Sequence, residues 1–391
     1  MAAANRAPVW FIAHGGPPTL FQTQHPAHKH WVQIGQEMRE ANLKGLVVVS
    51  AHWQAELGTR NPRIVQINTD PTNPMYYDYY GFPPVFFKLK FHATNPPSFS
   101  KLVADTIKKE GFEVNETKRG IDHGVFIPLK ICFKDELHVD SQHATPPIPQ
   151  ESGRDGMPEG VPLCQMSLPD ELISGHDAVE ASIALGRALR SLRDQGIGIM
   201  LGGQPVHNLR VAFSNMQSGA PNAKTGLYPP TPFSQAFSSA ISKAVLSKEG
   251  GEKGRDERIA GLLGHPAYKQ AHPSDDHFLL SFDASLLYPG LMLSIQQSHF
   301  QSFSLLKAAL QVADASPNSS SSNRSPADRP IVVVCVPIFR APTLVQPPSP
   351  ARALPLPPPG PSSDIVQPVQ INDQFDCREM HLLLKVRFLN M

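Results

Sequence analysis

The sequence predicts an α/β fold with a central, mostly parallel or mixed sheet that is flanked by helices on both faces. Short apolar runs alternate along the chain with longer amphipathic segments. The run at 45–51 (GLVVVSA) is apolar without a break, which is typical of a parallel strand covered on both faces. Segment 177–195 places Val179, Ile183 and Leu189 near one helical face, which indicates a helix packed on that sheet.

The other elements follow the same alternation. Apolar runs predict strands at 8–13, 45–51, 63–68, 161–168 and 197–202. Apolar positions three and four residues apart predict helices at 29–41, 98–110, 125–133, 177–195, 232–247 and 256–263. Residues 76–92 are aromatic and irregular, so we expect a loop there.

The composition changes at two places and suggests the domain organisation. Residues 136–160 are polar and rich in proline and glycine, so we expect a surface insertion there. From about residue 312 the chain is rich in serine and proline, a composition that buries too little apolar surface to fold without help. We therefore predict one domain over 1–311 and a disordered tail over 312–391, in which the run PIVVVCVPIF could form a strand.

Charge and cysteine usage exclude several classes of protein. The net charge of +1 argues against a dedicated nucleic-acid binder. The first residues lack a long apolar stretch behind a positive segment, so we expect a cytoplasmic protein with no signal peptide or membrane span. Cys132 and Cys164 lie in apolar runs outside any CxxC pair, and we expect buried thiols.

Three histidines follow predicted buried strands. His14 comes after VWFIA, His52 ends the run GLVVVSAH, and His207 follows GIGIMLGG. The carboxyl ends of strands in open α/β sheets converge on a ligand crevice, so these imidazoles could meet around one ion. Neutral imidazole binds Zn, Fe(II) or Cu. Each histidine alone could equally be an ordinary hydrogen-bonding residue, but three glycine-flanked positions favour a metal site.

Other polar positions leave alternatives open. His277 is a fourth candidate ligand, with Asp276 beside it as a residue that could orient it. His123 could belong either to the site or to an ordinary turn. The aromatic segment 76–80 could pack in the core or form a wall for a planar substrate. We favour the wall, and we predict that Asp78 and Tyr79 bind substrate.

Six motifs, in order, resemble those of the class III extradiol ring-cleaving dioxygenases of the DOPA-dioxygenase type. They lie between about residues 8 and 280, and they are FIAHGGPPTLF, VVVSAHWQ, YYDYYGFPP, KRGIDHGVFIPLK, LGGQPVHNLR and HPSDDHFL. After His277 the resemblance ends. Three further histidines, at 25, 28 and 30, lie in or before a predicted helix, where we expect them in solvent.

The resemblance implies a role for each motif histidine. His14, His52 and His277 would hold the metal, and His207 would contact the metal as well or act as acid and base. His123 would hydrogen-bond the substrate or dioxygen. The metal would be Fe(II) for turnover, with Zn2+ possible in the same site, and a DOPA-like catechol would be cleaved with O2 beside its hydroxyls.

Two alternatives share this scaffold. One is a non-catalytic metal- or ligand-binding relic of the fold, which would bind metal without turnover. The other is a zinc hydrolase that uses the same histidines, which would cleave esters or amides without oxygen.

Overall fold

A single mixed sheet organises the described part of the chain. The computed structural model describes residues 6–21, 23, 25–133, 156–219 and 228–280, and the backbone of 294–297 and 332–335. The strands described there are β1 (Val9–Ala13), β2 (Gly45–Ala55), β3 (Ile64–Asn68), β4 (Glu113–Thr117), β5 (Leu163–Asp170), β6 (Ile197–Gly203), β7 (Ser294–Gln297) and β8 (Val332–Cys335). Their order is β4-β3-β5-β2-β6-β1-β8-β7, and β3 and β5 pair antiparallel while the other neighbours run parallel.

Helices connect the strands. They are α1 (Pro26–Glu40), α2 (Pro97–Lys109), α3 (His123–Cys132), α4 (Gly175–Arg193), α5 (Leu209–Ser218), α6 (Pro232–Leu246), α7 (Gly251–Gly261) and α8 (Tyr268–Ala271). Short 3-10 helices lie at Pro17–Phe21, Pro84–Lys88 and Leu262–Gly264. Proline begins α1, α2 and α6, where its missing N–H removes a donor that has no partner in the helix.

Helices cover the sheet on both faces. Alternate residues of each strand point to opposite faces, so they belong to different cores. In β2, Val47 and Val49 belong to a core that includes buried residues of α2, α4 and α6. Leu46 and Val48 belong to a second core, which includes buried residues of α1 and α3. The predicted α/β fold with a mixed sheet is therefore confirmed.

The predicted elements lie within a few residues of the observed ones, but β4, β7, α5 and α8 fell in no predicted element. The loop expected at 76–92 contains the 3-10 helix Pro84–Lys88. The expectation of solvated histidines was wrong for His25 and His28, which are both 5% exposed. Burial leaves the Nδ1 of His25 with a partner, because it accepts a hydrogen bond from the amide of Ala27 at the start of α1. The expected buried thiols, Cys132 and Cys164, are both buried.

Two sequence-based expectations fall largely outside the described residues. Most of the insertion expected at 136–160 lies there, since description resumes at Gly156, which bridges to His92. Of the tail expected at 312–391, only the backbone of β8 is described, in the run that could form a strand. Among the described helices, none has the length and apolar character needed to cross a membrane.

Candidate metal centre

Three adjacent parallel strands bring histidines to the same end of the sheet, the one where their carboxyl ends lie. His14 directly follows β1, His52 lies near the end of β2, and His207 follows β6, which pairs with both of those strands. His277 is held at this end because the amide of Gln204, just after β6, donates to its carbonyl at 3.4 Å. The strand-end pattern in the sequence therefore does correspond to a spatial cluster.

His123, the first residue of α3, completes the cluster. Its ring centroid lies 4.0 Å from that of His52 and 5.3 Å from that of His14. The ring of His277 lies 5.3 Å from His14 and 4.9 Å from His52. The ligand atoms of His14, His52 and His123 all lie within 4.8 Å of one another, a spacing that one metal ion could span.

The nitrogen atoms of His14 and His52 face each other. Their Nε2 atoms are 3.2 Å apart. Two nitrogens that bind one tetrahedral ion at 2.0–2.1 Å are about 3.3 Å apart, so the observed separation suits a shared ion. The Nδ1 of His14 lies 2.8 Å from the carbonyl oxygen of Gly15, which can accept a hydrogen bond from Nδ1–H and so leave Nε2 as an unprotonated ligand atom.

Carboxylates hold the other imidazoles in the same way. The Nδ1 of His277 lies 2.8 Å from Asp276 Oδ2, and its Nε2 is buried with no hydrogen-bond partner among the described residues. The Nδ1 of His123 lies 2.8 Å from Asp78 Oδ1. Metal-binding histidines typically donate their second ring N–H to a carboxylate or carbonyl, so these residues fit a metal ion.

His207 differs from the other four histidines in its geometry. Its ring is stacked on that of His277, with centroids 3.5 Å apart and planes 8° from parallel. Imidazole binds a metal in its own plane, so these two stacked rings do not direct their lone pairs at a common point. This geometry favours the acid and base role of His207 over a metal contact, and both roles stay predictions.

Burial keeps three of the site imidazoles, those of His14, His52 and His207, neutral. Burial, reinforced by the surrounding histidines, holds the pKa of His14 and of His52 well below the ordinary value of 6.5. Desolvation, followed by the proximity of His277, lowers the pKa of His207 in the same direction. Neutral imidazoles carry the lone pair that a metal needs, so the site is ready to bind a cation at neutral pH.

A buried hydrogen-bond network connects to the cluster through the backbone of His52. The fully buried Asp122 accepts hydrogen bonds from Ser50 Oγ at 2.8 Å and from Arg119 Nη1 at 2.9 Å. Arg119 also donates from Nη2 to the carbonyl of His52 at 3.0 Å. Sequence reasoning missed this network, although the motif KRGIDHG holds two of its members.

Glycine lets α3 approach β2 closely. A Cβ on Gly124 would lie 2.6 Å from Ser50 Oγ and 3.1 Å from the ring of His52, so a larger residue would push His123 away from the site. Gly124 therefore permits the close approach between α3 and β2 beside the site.

The aromatic loop contributes to both the core and the edge of the site. Tyr79 is 5% exposed, packs in the α1–α3 core, and donates from its hydroxyl to the carbonyl of Phe86 at 2.6 Å. Its ring also stands edge-on to His123 at 5.8 Å. Tyr80, in contrast, is 67% exposed. The two interpretations of this segment, core packing and aromatic wall, are therefore compatible at Tyr79.

Comparison with known proteins relates this chain to a family. Residues 8–237 match the family described as the catalytic LigB subunit of aromatic ring-opening dioxygenase. The 4,5-DOPA dioxygenase extradiol of Beta vulgaris is 26% identical over 277 residues, which cover 70% of this chain and 84% of that protein. The 4,5-DOPA dioxygenase extradiol-like protein of Schizosaccharomyces pombe is 27% identical over 293 residues, covering 70% and 82%. The dioxygenase tasH of Hapsidospora irregularis is 27% identical over 289 residues, covering 70% and 75%.

Proposed function

Because the chain belongs to the LigB family of aromatic ring-opening dioxygenases, we propose that it is an extradiol dioxygenase that opens a DOPA-like catechol with O2. The observation that carries the proposal is the convergence of His14, His52, His123 and His277. Three of them have Nδ1 at 2.8 Å from a carbonyl or carboxylate oxygen, which leaves Nε2 available as the ligand atom. Relatives named as DOPA dioxygenases support the choice of substrate class.

His14, His52 and His277 would hold the metal through Nε2. The metal in turnover would be Fe(II), and Zn2+ could occupy the same site, because imidazole suits both ions. A bound divalent metal would supply a Lewis-acid centre that brings the catechol oxygens and dioxygen together. The buried Nε2 of His277, without a partner among the described residues, supports its assignment as a ligand.

His207 would handle protons. Its neutral ring has a nitrogen lone pair that could accept a proton from a catechol hydroxyl. Desolvation and His277 hold its pKa well below 6.5, which weakens it as a base and favours return of the proton. The stack on His277 keeps this nitrogen beside the cluster without using it as a ligand of the same ion. The proton would return to the opened ring in a later step, as expected of a general acid and base.

His123 and Tyr79 would shape the substrate space. The side chain of His123 is held through Nδ1, which leaves Nε2 to hydrogen-bond the substrate or dioxygen. Tyr79 would offer the edge of its ring as an apolar wall, since its hydroxyl is already engaged with Phe86. An aromatic wall excludes water and favours a planar ring.

Oxygen uptake is the decisive experiment. The full chain, reconstituted with Fe(II) under anaerobic conditions, should consume oxygen with a catechol panel that includes DOPA. Mass spectrometry with 18O2 should show both oxygen atoms in the opened product. A His52→Ala variant provides the matched control and should lose uptake together with metal.

Two results would overturn the proposal. Folded, iron-loaded protein that turns over none of the catechols would leave a metal-binding relic. Ester or amide hydrolysis without oxygen would indicate a zinc hydrolase.

A further inference from the structure

We propose that Asp78 is a positioning residue that sets the tautomers of two histidines, His52 and His123, with one carboxylate. Only its consequence for metal binding rests on the proposed function, because the tautomers can be observed without turnover. The sequence suggested instead that Asp78 binds substrate.

The two oxygens of Asp78 face two different rings. Oδ1 lies 2.8 Å from His123 Nδ1 and also accepts the backbone N–H of His123 at 2.9 Å, so it holds both the ring and the first turn of α3. Oδ2 lies 3.3 Å from His52 Nδ1, within ion-pair distance, although it makes no hydrogen bond with any described residue. The carboxylate is 11% exposed, so it is directed to the protein and not to solvent.

The loop around Asp78 is anchored on both sides. Tyr77 donates from its hydroxyl to the carbonyl of Leu89 at 2.5 Å, and Tyr79 donates to that of Phe86 at 2.6 Å. Both tyrosines pack against the α1–α3 core, while the residue between them reaches the histidines. The carboxylate is thus held by its neighbours in sequence.

A carboxylate in this position determines where each imidazole carries its proton. An ionised carboxylate has only acceptor sites, and a neutral imidazole has one N–H and one lone pair. His123, which is hydrogen-bonded to Oδ1, therefore places its proton on Nδ1 and its lone pair on Nε2. The negative charge 3.3 Å from Nδ1 of His52 favours the same tautomer there. Nε2 is the atom with which His52 approaches His14 at 3.2 Å.

Asparagine tests this assignment with almost no change in volume. In Asp78→Asn, the amide oxygen can accept from one ring only, and the amide NH2 requires an acceptor on the other ring. One of the two histidines should then move its proton to Nε2. Loss of such an orienting partner typically weakens metal affinity by about 10–100-fold.

The measurement is long-range 1H–15N NMR of the full chain with selectively labelled histidine, both zinc-loaded and after chelation at mildly alkaline pH. We expect Nδ1–H signals for both His52 and His123 in the unaltered protein, and an Nε2–H signal from one of them in chelated Asp78→Asn. Asp276→Asn is the matched control, because Asp276 orients His277; it should leave the signals of His52 and His123 in place. Competition with a chromophoric chelator should show weaker Zn2+ binding by Asp78→Asn.

The unaltered protein alone can overturn the proposal. An Nε2–H signal from either His52 or His123 in chelated wild-type protein would contradict it, even if Asp78→Asn failed to fold. Unchanged tautomers in a folded Asp78→Asn variant would contradict it as well. Correct tautomers in a protein that consumes no oxygen would leave this inference standing and remove the proposed function.

Discussion

His207 and His277 lie face to face, with ring centroids 3.5 Å apart and ring planes 8° from parallel. Because the rings are parallel, their in-plane lone pairs do not point at a common atom, so we expect one ring to bind the cation and the other to move a proton. The anchored Nδ1 of His277, and its Nε2 without a partner among the described residues, support its assignment as the ligand.

Substitution of each ring should separate the two roles. We expect His277→Ala to lose metal, and His207→Ala to keep metal while kcat falls about 10²–10⁴-fold, the usual contribution of a general acid and base. Metal content and oxygen uptake measured on the same preparations would show this. Equal loss of metal in the two variants would contradict the division of roles.

Stability should depend on pH through the buried histidines. Burial lowers the pKa of His14 and His52 well below 6.5, and it lowers that of His272 to about 4. Below pH 6.5 the unfolded chain therefore binds protons that the folded chain does not bind, and the free energy of unfolding falls. The stabilisation is complete above about pH 6.5 and is lost as the pH falls toward the folded-state pKa values.

Thermal melts of chelated protein between pH 8 and pH 4 would measure this loss. Each such histidine contributes up to about 1.4 kcal/mol per pH unit across its window. His272→Gln should reduce the slope of the free energy of unfolding against pH by the contribution of one bound proton. His176→Ala, at an exposed position, should leave that slope unchanged. A melting temperature that stays level from pH 7 to pH 4 would be inconsistent with this linkage.

Whether the sequence predicts a strand depends on how far that strand is buried. Strands β1, β2 and β6 were predicted because both of their faces are covered, which requires continuous apolar runs. Strand β4 was missed because it is the edge strand and its sequence, EVNET, is mostly exposed. An edge strand with polar residues carries no apolar pattern to detect.

The residues of the candidate site also differ in how far the sequence could predict them. His14 and His52 could be recognised because strand ends converge, a rule that operates on local sequence. The spatial role of Asp78 could not be recognised, because it depends on a loop that meets α3 from 45 residues away in sequence. His28 is buried through its tertiary environment, which a helical pattern does not reveal.

Arg119 should be irreplaceable by lysine. Its guanidinium lies over the rings of Trp53 and Tyr76, at 4.7 and 4.4 Å, while it donates to Asp122 and to the carbonyl of His52. The single ammonium of lysine cannot reproduce this planar arrangement. Arg119→Lys should lower the free energy of unfolding by about 1–3 kcal/mol, because the fully buried Asp122 loses a partner.

Urea denaturation would measure that change. Arg63→Lys is the matched control, since Arg63 is exposed and lies over a single ring, that of Phe112, at 5.1 Å. It should cost no more than about 1 kcal/mol. Equal effects of the two substitutions would show that the network below the site contributes little to stability.

Gly35 and Gly261 provide a paired test of the packing between helices. A Cβ on Gly35 in α1 would lie 1.8 Å from the carbonyl oxygen of Cys132 in α3, a backbone atom that cannot move without displacing the helix. We expect Gly35→Ala to destabilise the fold by at least about 2–3 kcal/mol through overpacking. Gly261, at the end of α7, has helical angles of φ −60° and ψ −20° and no atom within 4 Å of its Cβ position. Gly261→Ala should instead stabilise the protein by about 0.4–1 kcal/mol, because it restricts the unfolded chain. Urea denaturation would measure both changes. A similar loss of stability in the two variants would refute the close α1–α3 contact.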